Sequence, residues 1–109
     1  MASGIARGDI RQYRFAAPGK LRPVVVLTRQ SAIAYLATVT VAPITSTVRD
    51  VPSELILTEE DGMKAKCAVN LHNLQTVSQD RLGRRLAHLD SSRMREICSC
   101  LHFALGCET

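Results

Sequence analysis

The feature that most constrains the fold of this chain is a succession of short β-forming runs, each closed by a turn signal. Residues 10–15 alternate apolar and polar side chains, which is typical of a half-buried strand. Residues 22–28 and 36–44 are β-branched runs of strand length, and residues 54–57 are a shorter candidate. Strands are therefore expected to build most of the core.

Prolines and glycines set the boundaries of these strands. Pro18-Gly19 predicts a turn between the first two strands. Pro23 lacks an amide hydrogen, so we expect it at a strand start or on a sheet edge. Pro43 predicts that the third strand frays near its end. An acidic turn over residues 58–62 closes at Asp61-Gly62.

The region after the acidic turn continues the β pattern. Residues 65–77 predict a strand pair or one bent strand. Residues 80–83 are compatible with one helical turn, and residues 84–88 with a further short strand. Within the first part of this region, alternation separates two faces, one with Cys67, Val69 and Leu71 and the other with Ala68, Asn70 and His72.

The chain closes with a helical pattern. Asp90 is placed to be its N-cap, and Gly106 is a natural stop. Apolar residues recur between them at helical spacing, namely Met94, Ile97, Cys98, Leu101 and Leu105. His102 and Phe103 flank this stripe, which should dock on the sheet. Short strands followed by one amphipathic helix predict an α+β fold, a small curled β-barrel with the helix packed outside, forming one domain over residues 1–109.

Charge is unevenly distributed along the chain. The formal net charge is +4, yet residues 1–49 hold seven basic residues against Asp9 alone, and the remainder is net negative. This asymmetry predicts one anion-attracting face, which would suit RNA, DNA, an acidic partner or solvent alone. With two Tyr, two Phe and no Trp, the core should be aliphatic, and base stacking is a poor candidate for RNA recognition.

Targeting and metal-binding signals are weak. The first eleven residues contain no apolar core of a signal peptide, and no run approaches the roughly 20 apolar residues that span a bilayer, so we expect a cytoplasmic protein. Cys67, Cys98, Cys100 and Cys107 form no CxxC pair, which predicts free thiols and no metal site.

Three ordered segments resemble the MazF/PemK toxin family. Residues 7–10 (RGDI) are similar to the opening strand of that family, residues 19–27 (GKLRPVVVL) to its Arg-Pro strand, and residues 39–46 (VTVAPITS) to the strand that ends at a Ser or Thr. Residues 74–77 with 80–83 are a weaker fourth match. The resemblance implies an SH3-like barrel, a homodimer, and an endoribonuclease that cleaves single-stranded RNA without metal or cofactor. It also implies a cognate antitoxin that covers the active groove.

The same resemblance assigns catalytic roles to Arg22 and Thr45. In metal-free RNA cleavage the ribose 2′-OH attacks the phosphate and leaves a 2′,3′-cyclic phosphate. A guanidinium remains charged and can grip two phosphate oxygens, as Arg22 would do. Thr45 can donate a hydroxyl hydrogen bond to the same phosphate. Read without the family, Arg22 is a solvated residue at a strand start and Thr45 a turn cap.

Two departures from the family pattern affect the predicted site. The loop over residues 16–20 is short, which leaves the RNA target and the antitoxin contacts open. Where some members carry an Arg and an acidic residue, this chain has Asn70 and His72, so His72 is the candidate substitute base. The remaining candidate RNA-binding residues are Lys20, Ser46, Thr47, Asn70 and Arg11.

Two other functions fit the same fold. A CcdB-like toxin would poison DNA gyrase by binding, although this chain lacks the aromatic-Gly-Ile ending associated with that class. A degenerate, non-catalytic RNA-binding member is the third possibility.

Overall fold

The computed structural model describes residues 4–16 and 20–107. The predicted turn at Pro18-Gly19 lies outside the described residues. The described part contains these strands and helices in chain order: β1 (Asp9–Arg14), β2 (Leu21–Val26), α1 (Gln30–Ile33), β3 (Thr38–Thr45), β4 (Glu54–Leu57), β5 (Cys67–Asn70), β6 (Gln75–Ser78), β7 (Arg85–His88) and α2 (Ser91–Leu105). Short 3-10 turns at Glu59–Asp61 and Gln79–Arg81 precede β5 and β7.

The strands form one curled antiparallel sheet. Its order is β4-β5-β3-β2-β1-β7, and β6 pairs with the first half of β3 on the edge where β5 pairs with its end. Among the described residues no pairing joins β4 to β7, so the sheet is a half-barrel. The predicted curled β-barrel with a C-terminal helix outside is confirmed in this half-closed form.

Pro23 and Pro43 both lie inside strands. Pro43 is opposite Val24 in the β2–β3 ladder, and β3 continues to Thr45 by pairing with β5, so the predicted fraying at Pro43 is wrong. On its other edge, β3 changes partner from β6 to β5 around this residue. No ladder hydrogen bond is therefore required there from Pro43, which has no amide hydrogen to donate. Pro23 is the third residue of β2, just before its pairing with β3 begins.

Apolar side chains pack on both faces of this sheet. One cluster lies under α2 and includes Ile10, Val25, Ile44 and Ile97. The other includes Val24, Val26, Ile33, Val39 and Val41. The predicted polar face of β5 is wrong, because the curl of the sheet buries Ala68 and Asn70 as well as Val69.

Helix α2 begins and ends where the sequence predicts. The Asp90 carboxylate accepts a hydrogen bond from the Arg93 amide at 2.9 Å, and Gly106 ends the helix in the left-handed conformation. Met94 and Ile97 are buried, but Leu105 is 59% exposed, so the predicted apolar stripe is one turn too long. In the last turn, Leu101 and Ala104 pack against the core, whereas the Leu105 side chain is on the solvent side of the helix.

The cysteines in the described residues are free thiols, as predicted. Burial is the main cause that raises the pKa of the Cys67 and Cys100 thiols, with Asp61 and Glu96 nearby adding to the effect. None of the described helices is long and apolar enough to cross a membrane.

Candidate active site

Strands β2 and β3 bring Arg22 and Thr45 together. In the observed ladder Val24 lies opposite Pro43, so the same register extended by two residues sets Arg22 opposite Thr45. Directly opposed residues on neighbouring strands have Cβ atoms about 5 Å apart on one face. Two residues 23 positions apart in sequence therefore become neighbours at one end of the sheet.

A groove of about 780 Å³ opens beside this pair. We call it the basic groove, because no Asp or Glu is among the described residues that line it. Its cationic residues are Lys20, Arg22, Lys64, Lys66, Arg84 and Arg85. Of these, Arg85 alone has a described carboxylate near it, that of Asp9 at 3.7 Å. The other five charges are available to attract an anion.

A second groove of about 350 Å³ meets the first at Arg22 and Thr45, which line both. We call it the polar groove, because its lining includes Arg49, Asn70, Asn73 and Gln75. A chain that followed both grooves would therefore pass over Arg22 and Thr45 at their junction.

The donors at the junction point to an anionic ligand. The Arg22 side chain is half-buried and makes no hydrogen bond or ion pair with any described residue, so its guanidinium donors are unused. The Thr45 hydroxyl oxygen accepts a hydrogen bond from the Thr47 amide at 3.0 Å. Because this bond uses an oxygen lone pair, the Thr45 hydroxyl hydrogen is left to donate elsewhere.

The polar groove is shaped by two buried side chains. Asn70 accepts the His72 amide hydrogen at its Oδ1, at 3.1 Å, so its NH₂ group is free to face the groove. Glu54 accepts the amides of Arg49 and Asp50 at 2.9 and 3.1 Å. Asp50 has a φ of 57°, an uncommon conformation that the Glu54 carboxylate stabilises. Glu54 thereby holds the loop that carries Arg49.

Comparison with known proteins assigns this chain to a family. Residues 6–105 match the family described as "PemK-like, MazF-like toxin of type II toxin-antitoxin system". The chain belongs to this toxin family. It is 42% identical over 103 residues to the probable endoribonuclease MazF5 of Mycobacterium tuberculosis. The aligned residues cover 94% of each protein. It is 38% identical to the probable endoribonuclease MazF2 of the same organism, with 93% of this chain and 98% of the relative covered.

Solved structures of similar fold agree. The Mycobacterium tuberculosis toxin MazF-mt6 is 32% identical, with a TM-score of 0.82 over 90% of this chain and 96% of that one. A mycobacterial endoribonuclease solved with its cognate antitoxin has a TM-score of 0.87 over 97% of this chain and 99% of that one. At 23% identity, this second likeness bears on the fold alone.

The structure brings together most of the site residues that the toxin-family resemblance suggested. Arg22, Thr45, Lys20 and Ser46 all line the basic groove. Asn70 lines the polar groove beside them. Thr47 is exposed, and the contact it makes at the site is the hydrogen bond from its backbone amide to the Thr45 hydroxyl.

Arg11 is engaged in a different contact. Its guanidinium donates to the carbonyl oxygens of Gly83 and Gly4 at 2.9 and 2.7 Å and pairs with Asp9 at 3.3 Å. These bonds tie the N-terminal segment to the sheet and use the donors that RNA would need. Sequence alternation could not reveal these partners, because two of them are backbone carbonyls.

His72 also falls outside the two grooves. It follows β5 in an exposed turn, and its Nδ1 is hydrogen-bonded to the Ser53 hydroxyl. The strict alternation predicted for this segment stops at Asn70, because the chain turns at Leu71. His72 is therefore a neighbour of Asn70 through its backbone, and its imidazole is not among the residues that face the Arg22–Thr45 junction.

Four basic residues of the groove were not predicted. Lys64, Lys66, Arg84 and Arg85 come from the half of the chain whose net charge is negative. The acidic residues near them in sequence do not line the groove, so a charge count along the chain hides these four residues. The available signal was local: each pair stands at the entrance to a strand, as Arg22 does.

Proposed function

We propose that this chain is a toxin endoribonuclease that cleaves single-stranded RNA at specific sequences, without a metal, by attack of the ribose 2′-OH. The observation that carries the proposal is the unpaired Arg22 guanidinium beside the Thr45 hydroxyl, at the junction of two grooves that present cations and amides. RNA strands are bound chiefly through their phosphates, which these cations would attract.

The reaction requires little covalent chemistry from the protein. The 2′-oxygen attacks phosphorus, the bond from phosphorus to the 5′-oxygen breaks, and the products end in a 2′,3′-cyclic phosphate and a 5′-hydroxyl. Negative charge grows on the non-bridging oxygens as the phosphorane forms. Arg22 would donate to two of these oxygens and Thr45 to one, which stabilises the transition state more than the ground state.

Among the described residues that line the two grooves there is neither a carboxylate nor an imidazole. We therefore assign the catalytic effect of this chain to orientation of the 2′-OH and to charge stabilisation by Arg22, rather than to a strong general base. His72 remains the candidate base that the family pattern suggests. Its Nδ1 is hydrogen-bonded to the Ser53 hydroxyl, which makes it a weaker explanation of catalysis than Arg22.

The toxin activity also implies protein partners. We propose that the chain acts in the cytoplasm as a homodimer and that a cognate antitoxin blocks the grooves. The family to which the chain belongs is described as a toxin of a type II toxin-antitoxin system, which supports an antitoxin partner. The positive basic groove favours an antitoxin segment rich in Asp and Glu.

A cleavage assay tests the proposal. Purified protein is incubated with a long single-stranded RNA in EDTA, and the cut ends are mapped. We expect cuts at a few discrete sequences, lost in Arg22→Ala and largely lost in Arg22→Lys, which keeps the charge without the two-pronged geometry. Arg29→Ala, at an exposed arginine that lines neither groove, is the matched control and should cut normally.

Two results would overturn the proposal. Cleavage that persists in Arg22→Ala would remove Arg22 from the site. Absence of cleavage by antitoxin-free wild-type protein would favour a toxin that acts by binding, as a gyrase poison does, or a non-catalytic RNA-binding member.

A further inference from the structure

A third depression of about 480 Å³ adjoins the polar groove. Two of the four aromatic residues of the chain, Tyr13 and Phe15, form one wall. Thr76, Ser78 and Arg81 provide polar groups around it. We call this depression the aromatic pocket. Its volume is within the range of small-molecule sites in proteins and is ample for one nucleobase.

The aromatic pocket is continuous with the candidate cleavage site. Phe15 lines both this pocket and the polar groove, which ends at Arg22 and Thr45. Tyr13 lies directly opposite Arg22 in the β1–β2 ladder. Opposed residues on neighbouring strands are about 5 Å apart, so a base held by the two rings would belong to a nucleotide at or next to the phosphate on Arg22.

The two rings are arranged so that they support a third ring. Their centroids are 4.9 Å apart and their planes cross at 81°, an edge-to-face contact. In such a pair the face of one ring is covered by the edge of the other, and the ring surface that both residues present to the pocket is where a base could stack. Both residues are only half-buried, although they rest against an apolar cluster. Packing alone does not require two aromatic rings in a core that is otherwise aliphatic.

We propose that the aromatic pocket binds one unpaired base of the RNA by stacking and sets sequence preference beside the cleaved bond. This inference rests on the proposed RNA-cleaving function. It reverses the expectation that a chain so poor in aromatic residues would not recognise bases by stacking, because the fold concentrates half of them at one point beside Arg22.

The polar rim indicates which base is preferred. The Arg81 guanidinium carries donors and no acceptor, whereas the Thr76 and Ser78 hydroxyls can do either. Arg81 has no hydrogen bond or ion pair with described residues, so its donors are available. Guanine offers two adjacent acceptors, O6 and N7, which match a guanidinium. The pocket therefore favours guanine over adenine, which has a donor in place of O6.

A binding experiment tests the pocket without depending on catalysis. The cleavage-impaired Arg22→Ala protein is titrated with short RNAs in which 2-aminopurine replaces one base at a time. We expect quenching of the fluorescence at one position, where the base stacks on the rings. Adding Phe15→Leu, which keeps apolar volume but removes the ring, should abolish the quenching and weaken binding about 5- to 100-fold. Phe15→Tyr, which keeps the ring, should behave as the parent.

Two further variants complete the test, one as a control for the loss of a phenylalanine and one for the preference between bases. Phe103→Leu, at an exposed phenylalanine on α2 that lines none of the three depressions, is the matched control and should leave binding unchanged. Arg81→Ala, at an exposed residue, should preserve the quenching of 2-aminopurine while reducing the preference for guanine over adenine about tenfold. The same variants are also made in a protein that retains Arg22. Mapping the RNA sequences that they cut then reports their sequence preference.

The outcomes are separable. Quenching that survives Phe15→Leu in a folded protein, or a cleavage sequence that Phe15→Leu and Arg81→Ala leave unchanged, would overturn the pocket while the nuclease proposal stands. If wild-type protein does not cut RNA at all, the nuclease proposal fails, and the quenching experiment decides separately whether the pocket binds a base.

Discussion

At the residue scale, the Thr45 hydroxyl can take part in two hydrogen bonds, one as acceptor and one as donor. Its oxygen accepts the Thr47 amide, and its hydrogen is free to donate at the junction of the grooves. We expect Thr45→Val to lower the single-turnover rate of RNA cleavage about a hundredfold, since a transition-state donor is lost. Thr45→Ser keeps both functions of the hydroxyl and should stay within a few-fold of wild type.

Stability measurements distinguish the two roles of Thr45. Loss of the Thr47 hydrogen bond alone should lower the free energy of unfolding by about 1 kcal/mol in Thr45→Val, measured by urea denaturation. If Thr45→Val cleaves as fast as wild type while showing this loss of stability, the hydroxyl only caps the turn.

At the residue scale, backbone constraints visible in the sequence explain where the structure places Arg22 and Thr45. Arg22 precedes Pro23 and Thr45 lies two residues after Pro43, in strands whose register, extended by two residues, sets them opposite each other. Arg11 was interpreted from its charge, and His72 from its place in the family pattern and the expected alternation. Their partners, the carbonyls of Gly83 and Gly4 and the Ser53 hydroxyl, are remote in sequence and leave no periodic signal.

At the scale of elements, the N-cap of α2 is the clearest test of how sequence dictates structure. Asp90→Ala removes the acceptor of the Arg93 amide and should lower the free energy of unfolding by about 1 kcal/mol. Ser92→Ala, an exposed position in the first turn with no described side-chain contact, is the matched control. Equal stability of the two variants in urea denaturation would show that Asp90 does not cap the helix.

Most elements were predictable because each carries a local signal. β4 occupies the predicted residues, and β1, β2, β3 and β7 shift by one to two residues at their ends. Helix α1 was missed because four residues are too few to show helical periodicity. It is held instead by a distant side chain, Gln79, whose amide donates to the carbonyls of Ile33 and Leu36 at 2.9 and 2.7 Å.

For the molecule as a whole, the basic groove predicts a steep dependence of RNA binding on salt. Each phosphate neutralised on single-stranded RNA contributes about −0.7 to the slope of log K against log salt concentration. Lys64→Ala and Arg84→Ala should each make the slope shallower by about that amount, measured with the Arg22→Ala protein. Arg29→Ala should leave it unchanged, and equal slopes in all three variants would place the RNA elsewhere.

Alkaline pH should weaken the folded state through the buried thiols. Burial raises the pKa of Cys67 and Cys100 in the folded protein, so the unfolded chain loses these protons first. The contribution of these thiols to the free energy of unfolding should therefore be constant below about pH 8 and fall as pH rises above about 8.5, the ordinary thiol range. Cys67→Ala and Cys100→Ala should each flatten this decline in denaturation at pH 7.5 and 9.5. Cys107→Ala, at an exposed residue, should not.

Whole-molecule assembly explains why the site was only partly predictable. The motif pair could be found in the sequence, whereas the gathering of Lys64, Lys66, Arg84 and Arg85 around it depends on how the sheet curls. The same holds for the proposed base-binding role of Tyr13 and Phe15, because strand pairing sets Tyr13 opposite Arg22 and the Phe15 ring packs against Tyr13.

The most direct test of RNA cleavage by 2′-OH attack is a chimeric substrate. A short RNA containing one mapped cut site is compared with the same strand carrying a single 2′-deoxynucleotide immediately 5′ of the cleaved bond. We predict that the all-RNA strand is cut in EDTA to a 2′,3′-cyclic phosphate end, and that the 2′-deoxy strand binds equally well but is not cut. Cleavage of the 2′-deoxy strand at the same bond would contradict this mechanism.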